Sequence, residues 1–202
     1  MVLSKIIAYI FHPVIMPLIC SIAYFIIIPN HIPQPFSTRL LWLIFALTFI
    51  IPIIAVYILK KGRVIASFEL ETVRERKFPV IFYAIICFLI GNLMLKTGYI
   101  TLLSLSFYAC AISLLITYIF LLINKKVSLH VLSISGLTAF VGVLSFYYKI
   151  NMLTVISGLV VLIGIIATSR LLLKAHTPKE IFYGLLFGAL PQVLTFVMYY
   201  KI

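Results

Sequence analysis

The chain has 202 residues, of which 64% are hydrophobic and only 10% are charged, and its mean hydropathy is +1.26. This composition excludes a soluble globular domain of this size and predicts an integral membrane protein. Sixteen Lys and Arg residues against four Asp and Glu give a formal charge of +12. In a membrane protein such residues set topology and contact lipid headgroups, so we predict a lipid bilayer and no nucleic acid as partner.

About seven apolar runs are long enough to cross a bilayer as helices. The predicted fold is an all-α, polytopic transmembrane helix bundle of six to seven spans, which forms one membrane domain over residues 1–202. Residues 1–60 supply N-terminal helices and residues 61–202 a core. The short loops exclude a Rossmann domain, a zinc ribbon and a separate nucleic-acid module. The predicted spans are 5–28, 39–59, 79–95, 99–123, 131–148, 150–169 and 178–200.

Three polar segments connect these spans on one membrane face, at 60–78, 124–130 and 170–177. Counting crossings places the N-terminus on that face and the short turns, including the one with His31, on the other. The convergent face holds all four acidic residues and twelve of the sixteen basic ones. The positive-inside rule therefore predicts that it is cytoplasmic.

The third polar segment is suited to binding an anion. Pro178 fits the first turn of a helix and Thr177 its N-cap, so His176 lies just outside a helix N-terminus. Free N–H groups and the helix dipole favour a phosphate there, and Arg170 can add a bidentate contact. Thr177 and Glu180 also match a capping box, which gives Glu180 a purely structural alternative.

The polar segments at 124–130 and 60–78 contain further residues suited to phosphate chemistry. Ser128 is predicted to cap the fifth span and His130 to lie in its first turn. Two histidines on one face can divide phosphoryl transfer, one as nucleophile and one as proton donor. Arg76 and Lys77 supply further positive charge before the third span, although a topogenic or headgroup-binding role is as good an explanation for them.

These residues resemble a known family. Ser169-Arg170, five residues, His176, three residues and Glu180 resemble the third signature of the type 2 phosphatidic acid phosphatase superfamily, SR-x5-H-x3-D. Ser128-x-His130 is similar to the end of its second signature, P-S-G-H, and the cluster ending in Pro79 to its first. The likeness covers roughly residues 74–188. The stretch Phe11-His12-Pro13 resembles a divergent subgroup with extra N-terminal helices.

The resemblance implies a lipid phosphatase that needs no metal and no cofactor. His176 would form a phosphohistidine, Glu180 would orient it, and His130 would protonate the leaving group and then activate water. The implied substrate is a phosphorylated membrane lipid: a polyprenyl pyrophosphate, phosphatidic acid, phosphatidylglycerol phosphate or a lipid A phosphate. The residues implied to hold the phosphate are Arg76, Lys77, Ser128, Ser169 and Arg170.

The chain departs from the family pattern at several positions. Val127 and Leu129 replace the Pro and Gly of the second signature, and Glu69 stands where the first signature has a lysine. We expect Arg76, then Lys77, to do the work of that lysine, with Arg74 as a substitute. Two alternatives therefore stand beside the enzyme: a protein that binds or transports lipid phosphates, and a non-catalytic descendant on the same scaffold.

Two predictions disagree on which side of the membrane the site lies. The resemblance implies a bacterial inner membrane protein with an extracytoplasmic site, whereas the charge count predicts a cytoplasmic one. With seven spans, a reporter fused to the C-terminus decides, because a cytoplasmic C-terminus puts the site outside.

Small residues and His12 are predicted to be structural. Gly184 and Gly188 have the spacing of a close helix contact. We expect His12, beside the helix-bending Pro13, to serve packing. Four glycines on the fifth and sixth spans are also predicted to serve close contact: Gly136, Gly142, Gly158 and Gly164.

Overall fold

The computed structural model describes residues 2–28, 33–68, 70, 72–98 and 100–201. Within these ranges the chain is helical without a strand, which confirms the predicted all-α class. Seven of its helical segments are long and apolar enough to cross a membrane. The predicted turn around His31 and the position of Glu69 lie outside the described residues.

The first two membrane-length segments are each built from two helices. The first comprises α1 (Val2–Ile10), a 3-10 turn (Pro13–Ile15) and α2 (Met16–Ile27). The second comprises α3 (Gln34–Phe45), a π-helical turn (Ala46–Ile50) and α4 (Ile51–Lys61). The remaining five are single helices: α5 (Val73–Leu95), α6 (Thr101–Leu122), α7 (Leu129–Tyr148), α8 (Leu153–Leu172) and α9 (Pro178–Tyr200).

The chain divides into two compact units. Unit 1 joins Met1–Met16 to Lys126–Ile202, and unit 2 is Pro17–Lys125. In unit 1, α7 packs against α9 and α8, and α1 packs against α8. In unit 2, α5 and α6 form the main helix pair.

Two glycines on α9 explain how closely α7 and α9 approach. A Cβ atom at Gly184 would lie 2.7 Å from the carbonyl oxygen of Ser128, and one at Gly188 would overlap the Leu132 carbonyl and the Ser135 hydroxyl. Gly136 faces the same contact, since its Cβ would lie 3.4 Å from the carbonyl oxygen of Gly188. The predicted glycine contact is confirmed for these positions.

The same prediction is wrong for three other glycines. At Gly142, Gly158 and Gly164 an added Cβ would meet no atom of the described residues within 4 Å. The absence of a side chain at these positions is therefore not what allows a described helix to approach. A glycine in an apolar span therefore does not by itself indicate where helices touch.

Proline ends α1 early and shapes the segment that follows. Pro13 has no N–H to continue the helical hydrogen bonds, and it disfavours helical geometry at the residue before it. His12 accordingly has extended backbone angles, φ −66° and ψ 133°. The last carbonyl groups of α1, including that of Ala8, thus need partners from outside the helix.

The start of α5 differs from the prediction. Thr72 and Glu75 form a capping box, so α5 begins at Val73, and Pro79 lies inside it. Arg76 and Lys77 are therefore helical residues of unit 2, where they were predicted to lie in a loop. The predicted boundary was wrong because it treated Pro79 as a helix start, and a membrane helix tolerates an internal proline.

Candidate active site

His176 and Glu180 form the best-defined polar pair of unit 1. Thr177 caps α9, and its hydroxyl accepts from the Glu180 backbone N–H, so the predicted N-cap and capping box are both present. The Nδ1 atom of His176 lies 2.6 Å from Oε2 of Glu180. The same oxygen accepts from the Thr177 backbone N–H at 3.4 Å. Glu180 therefore makes both contacts, the one with the helix N-cap and the one with His176.

This pairing fixes the chemistry of the imidazole. The His176 side chain is 2% exposed and that of Glu180 is 20% exposed. Because an ionised carboxylate only accepts hydrogen bonds, Nδ1 of His176 carries a proton and the neutral ring has its lone pair on Nε2. A histidine held in this way can act as a nucleophile through Nε2.

An open pocket adjoins the pair. Its volume is about 450 Å³, and its lining includes His176, Glu180 and the two cations Lys126 and Lys174. Neither lysine was predicted as a site residue, because in sequence both look like topogenic loop charges. The available signal was that each lysine lies shortly before a predicted helix start, Lys126 before α7 and Lys174 before α9.

Ser128 lies where the starts of α7 and α9 meet. Its backbone N–H donates to the carbonyl oxygen of Glu180 at 3.1 Å, and Gly184 leaves room for this contact. Ser128 is fully buried, and its hydroxyl has no hydrogen-bond partner among the described residues. The prediction that this side chain caps α7 is wrong, because no such cap bond forms. A buried hydroxyl without a partner is costly, which makes it a candidate ligand for an absent polar group.

His130 lies in the first turn of α7, as predicted. Its Nε2 atom is 3.0 Å from the carbonyl oxygen of Ala8. A carbonyl oxygen only accepts, so Nε2 carries the proton and Nδ1 has the lone pair in the neutral ring. The ring thus provides a hydrogen-bond donor for the Ala8 carbonyl near the end of α1 and leaves Nδ1 as its acceptor nitrogen.

Ser169 and Arg170 lie in the last turn of α8. The Ser169 hydroxyl is buried and donates to the carbonyl oxygen of Ser4 at 2.7 Å. This contact ties α8 to α1, and a phosphate oxygen would have to compete for the same hydrogen atom. Arg170 stands at the helix end where the dipole favours a cation. Its charge acts on both His12 and His130.

His12 is the residue whose position was not anticipated. Its ring stands edge-on to that of His130, with centroids 5.6 Å apart and planes at 82°. In sequence His12 is 118 residues from His130 and inside an apolar run. The one sequence feature that indicated their proximity is the count of membrane crossings, which puts the N-terminus on the same face as the site.

Unit 1 therefore collects most of the predicted site residues: Ser128, His130, Ser169, Arg170, His176 and Glu180. Arg76 and Lys77 belong to unit 2, where the Nε atom of Arg76 donates to the carbonyl oxygen of Leu70 at 2.7 Å. Their part in holding a phosphate stays a prediction from the sequence.

Comparison with protein families, with curated proteins and with solved structures finds no match to this chain.

Proposed function

We propose that the protein is a membrane-embedded lipid phosphatase, which hydrolyses a phosphomonoester or pyrophosphate of a lipid through a phosphohistidine intermediate. The observation that carries the proposal is the hydrogen bond between His176 and Glu180 at the wall of a pocket that also holds Lys126 and Lys174. Phosphoryl transfer requires an oriented nucleophile and positive charge near the phosphate. Here Glu180 orients His176, and the two lysines provide the charge.

In the first step, Nε2 of His176 attacks phosphorus. The P–N bond forms as the P–O bond to the lipid breaks, and Glu180 stabilises the imidazolium that develops on His176. The departing oxygen takes a proton from Nδ1 of His130. This step requires a His130 ring that carries a proton on both nitrogens, and the hydrogen bond from Nε2 to the Ala8 carbonyl is kept in that form.

In the second step, Nδ1 of His130 takes a proton from water. The hydroxide oxygen attacks phosphorus, the P–N bond breaks, and its electron pair returns to Nε2 of His176. Phosphate leaves, and both histidines regain their starting protonation. The buried Ser128 hydroxyl is the proposed donor to a phosphate oxygen, with Arg170 as a nearby cation.

The proposed substrate is a phosphorylated membrane lipid, and the proposed location is the inner membrane of a bacterium. Seven apolar helices agree with a multi-pass membrane protein. The pocket beside His176 and Glu180 lies at the start of one of these helices, where the phosphate of a membrane lipid has ready access.

The test is phosphate release by detergent-purified protein, with EDTA present, from polyprenyl pyrophosphate, phosphatidic acid, phosphatidylglycerol phosphate and lipid A. We expect His176→Ala to abolish release and His130→Ala to lower it by about a hundredfold or more. His31→Ala is the matched control, because the sequence places His31 in a turn on the opposite face.

A second readout identifies the nucleophile. Rapid quenching with phosphate-labelled substrate should trap label on the wild type in an acid-labile, alkali-stable form, as expected of a P–N bond, and none on His176→Ala. If the wild type binds these lipids but releases no phosphate from any of them, the binding or transport alternative replaces the enzyme.

A further inference from the structure

The backbone of α1 is anchored to the site at two points one helical turn apart. The carbonyl oxygen of Ser4 accepts from the Ser169 hydroxyl at 2.7 Å, and that of Ala8 from Nε2 of His130 at 3.0 Å. Residues four apart lie on the same face of a helix. One face of α1 therefore packs against two of the predicted site residues, and the chain that leaves α1 remains close to them.

His12 is the first polar side chain after this anchored helix. Pro13 holds it in an extended conformation, and its Nδ1 atom accepts from the backbone N–H of Val14 at 3.4 Å. Because that nitrogen accepts, the neutral ring carries its proton on Nε2. His12 therefore offers an N–H donor on the ring edge opposite the backbone contact.

His12 adjoins two of the predicted site residues, His130 and Arg170. Its ring stands edge-on to His130 at 5.6 Å, and the charge of Arg170 acts on both rings. The ring of His130 in turn interacts electrostatically with His176. His12 is exposed, so its Nε2–H can meet a ligand without displacing a packed side chain.

We propose that His12 is a third histidine of this site, which binds the substrate by donating a hydrogen bond from Nε2–H to a phosphate oxygen. The proposal rests on the proposed function, and it adds a binding residue that lies outside the three signatures. An anionic oxygen is the fitting acceptor, because Arg170 draws negative charge to the same neighbourhood. His12 acts here by binding the anion and transfers no proton.

Two substitutions separate this role from the capping of the 3-10 turn. His12→Asn keeps an acceptor near Nδ1, and asparagine is a good N-cap, but its amide does not reach the position of Nε2. His12→Gln places an amide N–H near the position of Nε2 and gives up the acceptor near Nδ1. If His12 binds phosphate, His12→Gln should be the more active variant. If His12 only caps the 3-10 turn, His12→Asn should be the more active one.

The experiment measures KM and kcat for the best lipid substrate, and inhibition by inorganic orthovanadate, with thermal unfolding as the check on folding. We expect His12→Asn to raise KM and the inhibition constant of orthovanadate by about tenfold or more, with a smaller change in kcat and an unchanged unfolding midpoint. His12→Gln should stay within about threefold of the wild type in both constants.

The outcomes distinguish failure of this inference from failure of the proposed function. If the wild type hydrolyses lipid phosphates and His12→Asn matches it, or if His12→Gln is the weaker variant, His12 is a structural cap and the inference is wrong. If the wild type releases no phosphate and orthovanadate does not raise its unfolding temperature, both the proposed function and the inference fail.

Discussion

Oxygen Oε2 of Glu180 lies 2.6 Å from Nδ1 of His176 and also accepts from the backbone N–H of Thr177. One carboxylate oxygen thus caps α9 and orients an imidazole. The chain contains a second capping box, Thr72 with Glu75 at the start of α5. Glu75 accepts from Ala66 and Thr72. The two boxes allow capping and catalysis to be measured separately.

Glu180→Gln should keep the cap and lose the chemistry. Glutamine forms capping boxes and its amide oxygen accepts from Nδ1, but it carries no charge to stabilise an imidazolium. We expect the unfolding temperature to change little and kcat to fall by about a hundredfold. The measurements are steady-state phosphate release and thermal unfolding in detergent.

Glu75→Gln is the matched control, because it makes the same chemical change in a capping box of unit 2. It should leave kcat within about twofold of the wild type. Equal losses of activity in the two variants would mean that Glu180 acts only as a helix cap, and the proposed role of the His176 pair would be wrong.

Ser128 and Ser169 should respond in opposite ways to alanine. The Ser128 hydroxyl is buried without a partner among the described residues, so its removal relieves a desolvation cost and should leave stability unchanged or raise it by about 1 kcal/mol. The Ser169 hydroxyl donates to Ser4, and its loss should lower stability by about 1 kcal/mol.

The enzymatic activity of the Ser128 variant tests whether this serine binds phosphate. If Ser128 holds a phosphate oxygen, Ser128→Ala should raise KM by about tenfold in spite of its undiminished stability. A variant that is as stable and as active as the wild type would remove Ser128 from the site. Unfolding curves and phosphate release on the same preparations provide both values.

The glycines of α9 should be intolerant of even one added carbon. Gly188→Ala places a Cβ against the Leu132 carbonyl and the Ser135 hydroxyl, and should lower the free energy of unfolding by about 3 kcal/mol or more. Gly184→Ala should cost less, since its nearest contact would be at 2.7 Å. Gly142→Ala is the control. Its Cβ would meet no atom of the described part of the chain within 4 Å, so the substitution should not destabilise the fold.

Much of the fold is predictable from the sequence because a membrane helix is a local property. Length and apolarity alone identify the seven spans, and the last one was predicted at the observed bounds, Pro178–Tyr200, because Thr177, Pro178 and Glu180 mark its start. The start of α5 was misplaced by six residues, since an internal proline and a helix-starting proline have the same local signature.

The candidate site was predictable where its parts are close in sequence. His176 and Glu180 are one helical turn apart, so their contact follows from spacing. The contacts of Ser169 with Ser4 and of His130 with Ala8 join residues 165 and 122 positions apart, and both use backbone carbonyls. A backbone acceptor has no signature in the sequence, and neither contact was predicted.

The break in α1 provides the last prediction. Pro13 ends the helix, and this leaves the carbonyl of Ala8 to His130 and holds His12 in an extended conformation. Pro13→Ala restores an N–H group and lets the helix continue through residue 12, where the His12 N–H competes for the Ala8 carbonyl. We expect activity to fall by about tenfold or more while the unfolding temperature stays the same or rises.

Pro191→Ala is the matched control for this substitution. Pro191 also lies in a helical segment of unit 1, inside the continuous helix α9, but it is far along the chain from His176, and its replacement leaves both anchors of α1 in place. If Pro13→Ala keeps full activity, the extended conformation at His12 has no part in the site. If both prolines prove equally sensitive, the effect belongs to helix bending in general and not to the contact between His130 and Ala8.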